Sequence, residues 1–310
     1  MTSGVLVLDK TRGPTSHDAV ARIRRVLGVR DVGHAGTLDP MATGVLVVAV
    51  GEATKLVPWL MAQDKAYEAT IALGIETDTL DADGREARRM ALGDELRGAL
   101  ASFAVGLAVA PILQTALEAE RSRTSQVPPA FCAIKHAGER AYARARRGEP
   151  TILSSRQVRV RRLELLACRD EPASVDLAVE VGKGYYVRAL GRDLARELGT
   201  VGHLTSLRRT RSGSFLGEEA LLLETPPDEL LARMCPLSDA AARVLPVTRL
   251  TEAAARDARH GRPVDLRDIC AHAPGPSAWF DPRGDLVAVG EVDAAGYGRV
   301  TRGFNAPATR

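Results

Sequence analysis

A glycine-bounded loop runs directly into a stretch of chain with no polar residue in it. Residues 33–44 read Gly-His-Ala-Gly-Thr-Leu-Asp-Pro-Met-Ala-Thr-Gly, and the apolar run Val45 to Val50 follows without a break. Such a run reads as a buried strand, so the loop is tied to the core at its C-terminal end. Pro40 biases Asp39 toward extended backbone and away from helix. Gly33, Gly36 and Gly44 permit tight turns and close approach of a ligand to the backbone. Loops fed into rigid strands are where reactive side chains are often presented. The same residues also read as an Asp-Pro turn in which Asp39 or Thr43 bonds its own backbone. Local spacing leaves both readings open.

The remaining elements follow from periodicity and stop signals. Thr15 and Asp18 have capping-box spacing, and Val20, Ile23 and Leu27 share a helical face that ends at Gly28. Ser16-His17-Asp18 is not a hydrolase triad, because adjacent residues cannot converge on one proton-transfer line. A helix is expected from near Glu52 that must tolerate Pro58, and Tyr67–Leu73 alternates as a strand. Residues 93–105 read as helix, Val158–Leu166 and Val175–Val181 as paired strands, and Tyr186–Leu198 as a helix stopped by Gly199. From about Leu245 the chain changes to short strands punctuated by Gly and Pro.

At 310 residues and 45% hydrophobic content the chain can bury a full core, as one large domain and a small one. No apolar stretch is long enough to span a membrane, and GVLVL near the start lacks a preceding basic flank. The four cysteines (132, 168, 235, 270) and six histidines never fall into metal-ligand spacing. No metal or cofactor is therefore expected, and a reducing, cytoplasmic compartment is. A nucleotide-binding enzyme is set aside. There is no P-loop, and Gly182-Lys183-Gly184 has Val187 where a third glycine would stand.

The formal charge of +3 conceals an uneven distribution. From Arg121 to Arg162 eleven Arg or Lys face two acids, Glu139 and Glu149, so this segment carries +9 and the rest of the chain −6. A basic stripe on an acidic body is the footprint of a polyanion-binding surface, or else a solvated basic helix. The chain also uses 37 Arg against five Lys, namely Lys10, Lys55, Lys65, Lys135 and Lys183. Because ammonium and guanidinium are not interchangeable in tight sites, several of these positions are expected to need a Lys for structural or polyanion-contact reasons.

The string GHAGTLDPMATGVL, followed by GEATK at 51–55, resembles the bacterial TruB family of tRNA pseudouridine-55 synthases. The resemblance recurs in order: GVLVLDK (4–10), DKAYEATIALG (64–74), TDTLDADG (77–84), QVPPAFCAIK (126–135), GKGYYVRALGRDLA (182–195) and HLTSLRRTRSG (203–213). It implies an α+β pseudouridine synthase catalytic fold over 1–244, a mixed, mostly antiparallel central sheet with flanking helices. A thumb-like RNA-binding insertion would occupy about 124–152, with KHAGERAYARARR gripping the T-arm. GRPVDL and DPRGDLVAVGEVDAAGYGRV resemble the small PUA-like β-barrel of the family, here 245–310. Beyond Gly106 the chain departs from the pattern with an insert of about sixteen residues before Gln126, either prolonging the preceding helix or forming a surface loop.

The resemblance places the catalytic carboxylate on Asp39 and its partner on Arg188 of the KG-x-Y-x-R block. A guanidinium favours the ionised carboxylate and orients it by bidentate bonding. Tyr67 falls on the family's active-site Tyr, which stacks on the target base. The same resemblance makes Tyr67 a catalytic residue and a candidate for the final proton abstraction, but a free phenol titrates only near pH ~10, which favours stacking. His34 matches the residue that enters the RNA loop when the nucleotide is flipped out, and Tyr186 lines the same pocket. Lys10, Lys55, Lys135, Arg144 and Arg208 are assigned to RNA binding, with Arg209 and Arg211 completing a second basic cluster. Phe131 stands where the family usually has Tyr, and Thr11 where it has Pro.

Pseudouridine formation breaks a glycosidic bond and rejoins the same base through carbon, so it needs a carboxylate and a dry pocket, not a redox or metal centre. The expected substrate is uridine 55 in the T-loop of tRNA, met by a monomer with no obligatory protein partner. Two alternatives remain: a guide-RNA-dependent synthase of the dyskerin type and an RNA-folding chaperone. The short N-terminus before Gly4 and the basic thumb favour the stand-alone enzyme.

Overall fold

A computed structural model describes residues 2–132, 135–136, 139–140, 153–271 and 275–305. The chain divides into two compact units. One comprises 1–40, 44–63 and 212–310; the other comprises 41–43 and 64–211.

In the first unit, strand Gly4–Lys10 pairs antiparallel with Thr43–Val50 from Gly4↔Val50 to Lys10↔Gly44. Val32–His34 flanks the latter strand antiparallel, while Leu221–Leu222 lies parallel to the former. The long strands are apolar from Gly4 to Leu8 and from Gly44 to Val50, and these stretches are buried on both faces. Val5, Val7, Val45 and Val47 pack with Leu56, Leu60 and Phe215 on one side. The helix Ser16–Leu27 begins with the expected capping box, since Asp18 N donates to Thr15 Oγ1 and Thr15 N donates back to Asp18. It ends on Gly28 at φ 64, a left-handed position that costs glycine least. The helix expected near Glu52 is split: a 3₁₀ segment Gly51–Leu56 gives way to helix Val57–Ala62. Pro58 then falls in the first turn of the new helix, where no hydrogen bond is lost.

Residues beyond Leu245 form a six-stranded sheet in the same unit, ordered 264–265, 297–303, 286–292, 277–280, 247–250, 269–271. All pairings are antiparallel except 247–250 with 277–280. Trp279 is fully buried at its centre with Leu250, Ala255 and Ile269. Phe280, Val289 and Phe304 contribute instead to the cluster around Val5, Val47 and Phe215.

The second unit is built on a sheet in the order 160–169, 174–181, 65–73, 202–212, in which 174–181 pairs antiparallel with both of its neighbours. Helix Val187–Glu197 lies close on this sheet at Gly202, where an added Cβ would stand 2.9 Å from both Ala195 Cβ and the Ala72 carbonyl. The insert after Gly106 neither prolongs helix Asp94–Ala104 nor stays a loop. A new helix runs Pro111–Arg121, with Pro111 preset for the first turn. Its Leu113 and Leu117 enclose a small apolar space with Leu165, Leu177, Leu194 and Leu198. Each fully buried leucine is worth roughly 1.5–3 kcal/mol, enough to hold so short a helix in place.

Candidate active site

Asp39 sits in a segment of the first unit whose backbone is fastened on both sides. Leu38, before it, is locked by Ser16 at the start of the first helix. Leu38 N donates to Ser16 Oγ at 2.8 Å, and Ser16 Oγ donates to the Leu38 carbonyl at 3.0 Å. Both residues are buried. After Asp39, the Pro40 carbonyl accepts from Gly13 N at 2.9 Å and from Lys10 Nζ at 3.3 Å. Upstream, Ala35 N donates to the Val47 carbonyl at 2.8 Å, and Gly36 turns the chain at φ 106. Between these anchors the Asp39 side chain is half-buried. His34 closes the flanking strand, half-buried, its ring meeting His17 edge-on at 5.2 Å.

Two expected RNA contacts, Lys10 and Lys55, have structural partners. Lys10 is fully buried, and its ammonium also donates to the Thr11 carbonyl at 2.9 Å. A cation without solvent access braces the Asp39 loop from inside. Lys55 pairs with Glu52 at 2.6 Å, donates to the Gly303 carbonyl at 3.2 Å and lies over the Phe304 ring. In the second basic cluster Arg208 is half-buried. Arg209 is 1% exposed because alternation on strand 202–212 turns it inward, and Arg211 pairs with Glu180 at 2.6 Å. Arg144 and the side chain of Lys135 lie outside the described residues, as does most of the thumb-like segment.

In the second unit, Arg188 is not a surface cation. It is 6% exposed, with Nη1 donating to the Thr79 carbonyl at 3.0 Å and Nη2 to the Phe131 carbonyl at 2.8 Å. Its Nε lies 3.7 Å from Asp81 Oδ2. Asp81 is itself buried, and its Oδ1 accepts from Thr79 Oγ1 at 2.6 Å and from Asp83 N at 3.1 Å. Leu80 between them takes φ 62, a strained value for a leucine that the surrounding bonds maintain. Within TDTLDADG the roles of Asp81 and Thr79 are not evident from the sequence, where the closely spaced acids are the only signal.

Tyr186 is bracketed by Gln126: its N–H donates to Gln126 Oε1 at 2.9 Å and its carbonyl accepts from Nε2 at 3.3 Å. The ring packs on Cys132 and Leu153. Burial first, and the neighbouring Cys132 next, push the Tyr186 phenol up to about 12, so it stays neutral at physiological pH. Tyr67, half-buried, stands opposite Val179. At the start of its strand Lys65 is buried; burial, and then the nearby Arg209, push its ammonium down to about 8. The first unit thus offers a positioned carboxylate; the second, taken by itself, offers an oriented guanidinium beside the neutral ring of Tyr186. Among the described residues no group of three or more His, Cys, Asp or Glu is arranged to hold a metal ion, and no helix is long and apolar enough to cross a membrane.

Comparison with known proteins places the chain in a family. The family model described as "TruB family pseudouridylate synthase (N terminal domain)" matches residues 24–187, and "tRNA Pseudouridine synthase II, C terminal" matches 245–298. Proteins named tRNA pseudouridine synthase B are similar over nearly the whole length. That of Arthrobacter sp. (strain FB24) is 41% identical, covering 96% of this chain and 95% of its own. That of Thermobifida fusca (strain YX) is 44% identical, covering 94% and 95%. Among solved structures, a chain of a Cbf5-Nop10-Gar1 complex superposes with a TM-score of 0.72 at 25% identity, covering 97% of this chain and 84% of that one. An archaeal Nop10-Cbf5 complex gives 0.67 at 24% and supports the fold alone. The fold is that of a pseudouridine synthase, with a curled C-terminal sheet of PUA-like kind. The chain belongs to the TruB family of tRNA pseudouridine synthases, and is an isomerase.

Proposed function

We propose that the protein isomerises uridine 55 in the T-loop of tRNA to pseudouridine, with Asp39 as the catalytic carboxylate. The observation that carries this reading is the double fastening of the loop, through Leu38 to Ser16 and through Pro40 to Gly13 and Lys10. A group that forms and releases a covalent bond to a reacting nucleotide must be held near one geometry, and these bonds supply that constraint.

In this account Arg188 is the partner of Asp39, while Tyr67 stacks on the flipped base and His34 fills the space the base leaves. The glycosidic bond to N1 breaks, the base turns, and a bond to C5 forms. The proton lost from C5 and the proton gained at N1 balance, so no atom enters or leaves. Tyr186 lines the pocket as a neutral ring. The segment 124–152, with Lys135 and Arg144, grips the T-arm together with Arg208, and 245–310 acts as an RNA-binding domain beside the catalytic portion 1–244. The protein works in the cytoplasm as a monomer without a guide RNA. The names and 41–46% identities of the curated relatives support that stand-alone reading over a guide-dependent or chaperone role.

The test is positional. Purified protein is incubated with an unmodified tRNA transcript and no guide, and pseudouridine is mapped along the product. A single pseudouridine at position 55 is expected. No product, or product only at other sites, would reject the assignment.

A further inference from the structure

The insert helix Pro111–Arg121 has its buried stripe at Leu113, Ala116 and Leu117, and the next position on that stripe is Glu120. Glu120 is fully buried. A carboxylate there is costly unless its oxygens are satisfied. They are: Tyr185 donates its hydroxyl to Oε1 at 2.6 Å, and Arg123 Nε donates to Oε2 at 2.6 Å. Burial dominates at both acidic groups, raising Glu120 above the usual carboxylate range and Tyr185 well above the usual phenol range. The phenol therefore remains the donor at physiological pH.

Tyr185 immediately precedes Tyr186 and stands three residues before Arg188. The turn that launches their helix begins at Gly184, at φ 88, and the helix has no side-chain N-cap. Its conformation is set from outside. Gln126 brackets the Tyr186 backbone and Glu120 holds the Tyr185 ring, with Arg123 bonded to Glu120 between them in sequence. Both anchors come from the end of the insert and the residues that follow it.

We propose that Glu120 is a positioning residue for the isomerisation: through Tyr185 it fixes the turn from which Tyr186 and Arg188 project, and this is what the insert contributes. The proposal rests on the reading that Tyr186 and Arg188 line the active site. Glu120 touches no reacting atom in this account. It acts through a single hydrogen bond, which makes the role separable from general stability.

Single-turnover rates on a tRNA transcript are measured for the full-length protein and for Glu120→Ala, Glu120→Gln, Tyr185→Phe and the Glu120→Ala/Tyr185→Phe double variant. The rate should fall roughly tenfold in Glu120→Ala and in Tyr185→Phe, as loss of one hydrogen bond to a charged group implies. The double variant should be no slower than the slower single, because both remove the same link. Affinity for tRNA should not change, and Glu120→Gln, which keeps an acceptor for Tyr185, should recover most of the rate. Wild-type rates in Tyr185→Phe, or losses that multiply in the double variant, would overturn the proposal. If Glu120→Ala fails to fold, Tyr185→Phe carries the test, since it leaves the Glu120–Arg123 pair intact. Arg188→Ala runs in parallel. Near-complete loss there with wild-type rates in Tyr185→Phe rejects the positioning role alone, whereas a wild-type rate in Arg188→Ala rejects the site reading and the proposal with it.

Discussion

Replacing Ser16 by alanine should slow the reaction far more than its cost in stability implies. Ser16 Oγ is bonded to both backbone groups of Leu38, at 2.8 and 3.0 Å, in a region closed to solvent. Removing the hydroxyl leaves one buried N–H and one buried C=O unsatisfied, at roughly 1–3 kcal/mol each before the loop relaxes. Relaxation recovers part of this, so a loss of about 2–3 kcal/mol and a drop in melting temperature of about 3–5 °C are expected. The relaxation itself moves Asp39, the next residue. Displacement of a reacting group by about 1 Å can cost on the order of a hundredfold in rate, so the single-turnover rate should fall between ten- and a hundredfold. Thr15→Ala is the matched control: it breaks the capping box of the same helix at about 1 kcal/mol without touching Leu38. The assay pairs thermal melts with single-turnover kinetics and hydrogen exchange at the Leu38 amide. Faster exchange and a slow chemical step in Ser16→Ala, with near wild-type chemistry in Thr15→Ala, support the fastened loop. Equal rates in the two variants would refute it.

Other consequences follow from single residues. Lys65, folded near 8 and ordinarily near 10.5, is protonated more readily in the unfolded chain. Its contribution to stability therefore rises with pH between those values, by roughly 3 kcal/mol, and is fully adverse below about 8. Lys65→Met should flatten that rise in pH-dependent melts; an unchanged slope would contradict the burial. Because the Tyr186 phenol is pushed up to about 12, Tyr186→Phe should leave any alkaline limb of the pH–rate profile between pH ~8 and ~10 in place, and its loss would make Tyr186 a titrating participant. Arg208→Ala should lower the slope of log affinity against log salt by about 1, as loss of one phosphate contact does, while Lys55→Ala should leave it unchanged and instead speed amide exchange at 303–305. The reverse outcome would return Lys55 to the RNA surface.

Much of the architecture was legible because it is encoded locally. The capping box at Thr15, the stop at Gly28 and the double-sided apolarity of 45–50 each need only a few neighbouring residues, and all are present as read. Resemblance then singled out Arg188, and Asp39, for which spacing alone left a turn and a reactive carboxylate both open. What sequence did not disclose depends on residues distant in the chain. Asp81 reads as one acid among several until Arg188 is brought beside it from 107 positions later. Lys10 reads as a phosphate ligand until the Pro40 carbonyl is found against it. Arg209 looks basic and exposed, but a strand with buried alternate positions takes it inside. The insert was opaque for a related reason: its stripe of Leu113, Ala116 and Leu117 is short and ends in a glutamate, and only the facing Tyr185 explains why a charge belongs there.

The central claim is that Asp39 performs the chemistry and does not merely bind RNA or shape the loop. Asp39→Asn preserves size and polarity while removing the nucleophilic charge. Measured side by side on the same unmodified transcript, the variant should bind tRNA within about twofold of the wild type and form no detectable pseudouridine at enzyme concentrations where the wild type completes its turnover. Pseudouridine from Asp39→Asn at a rate close to the wild type would contradict the account.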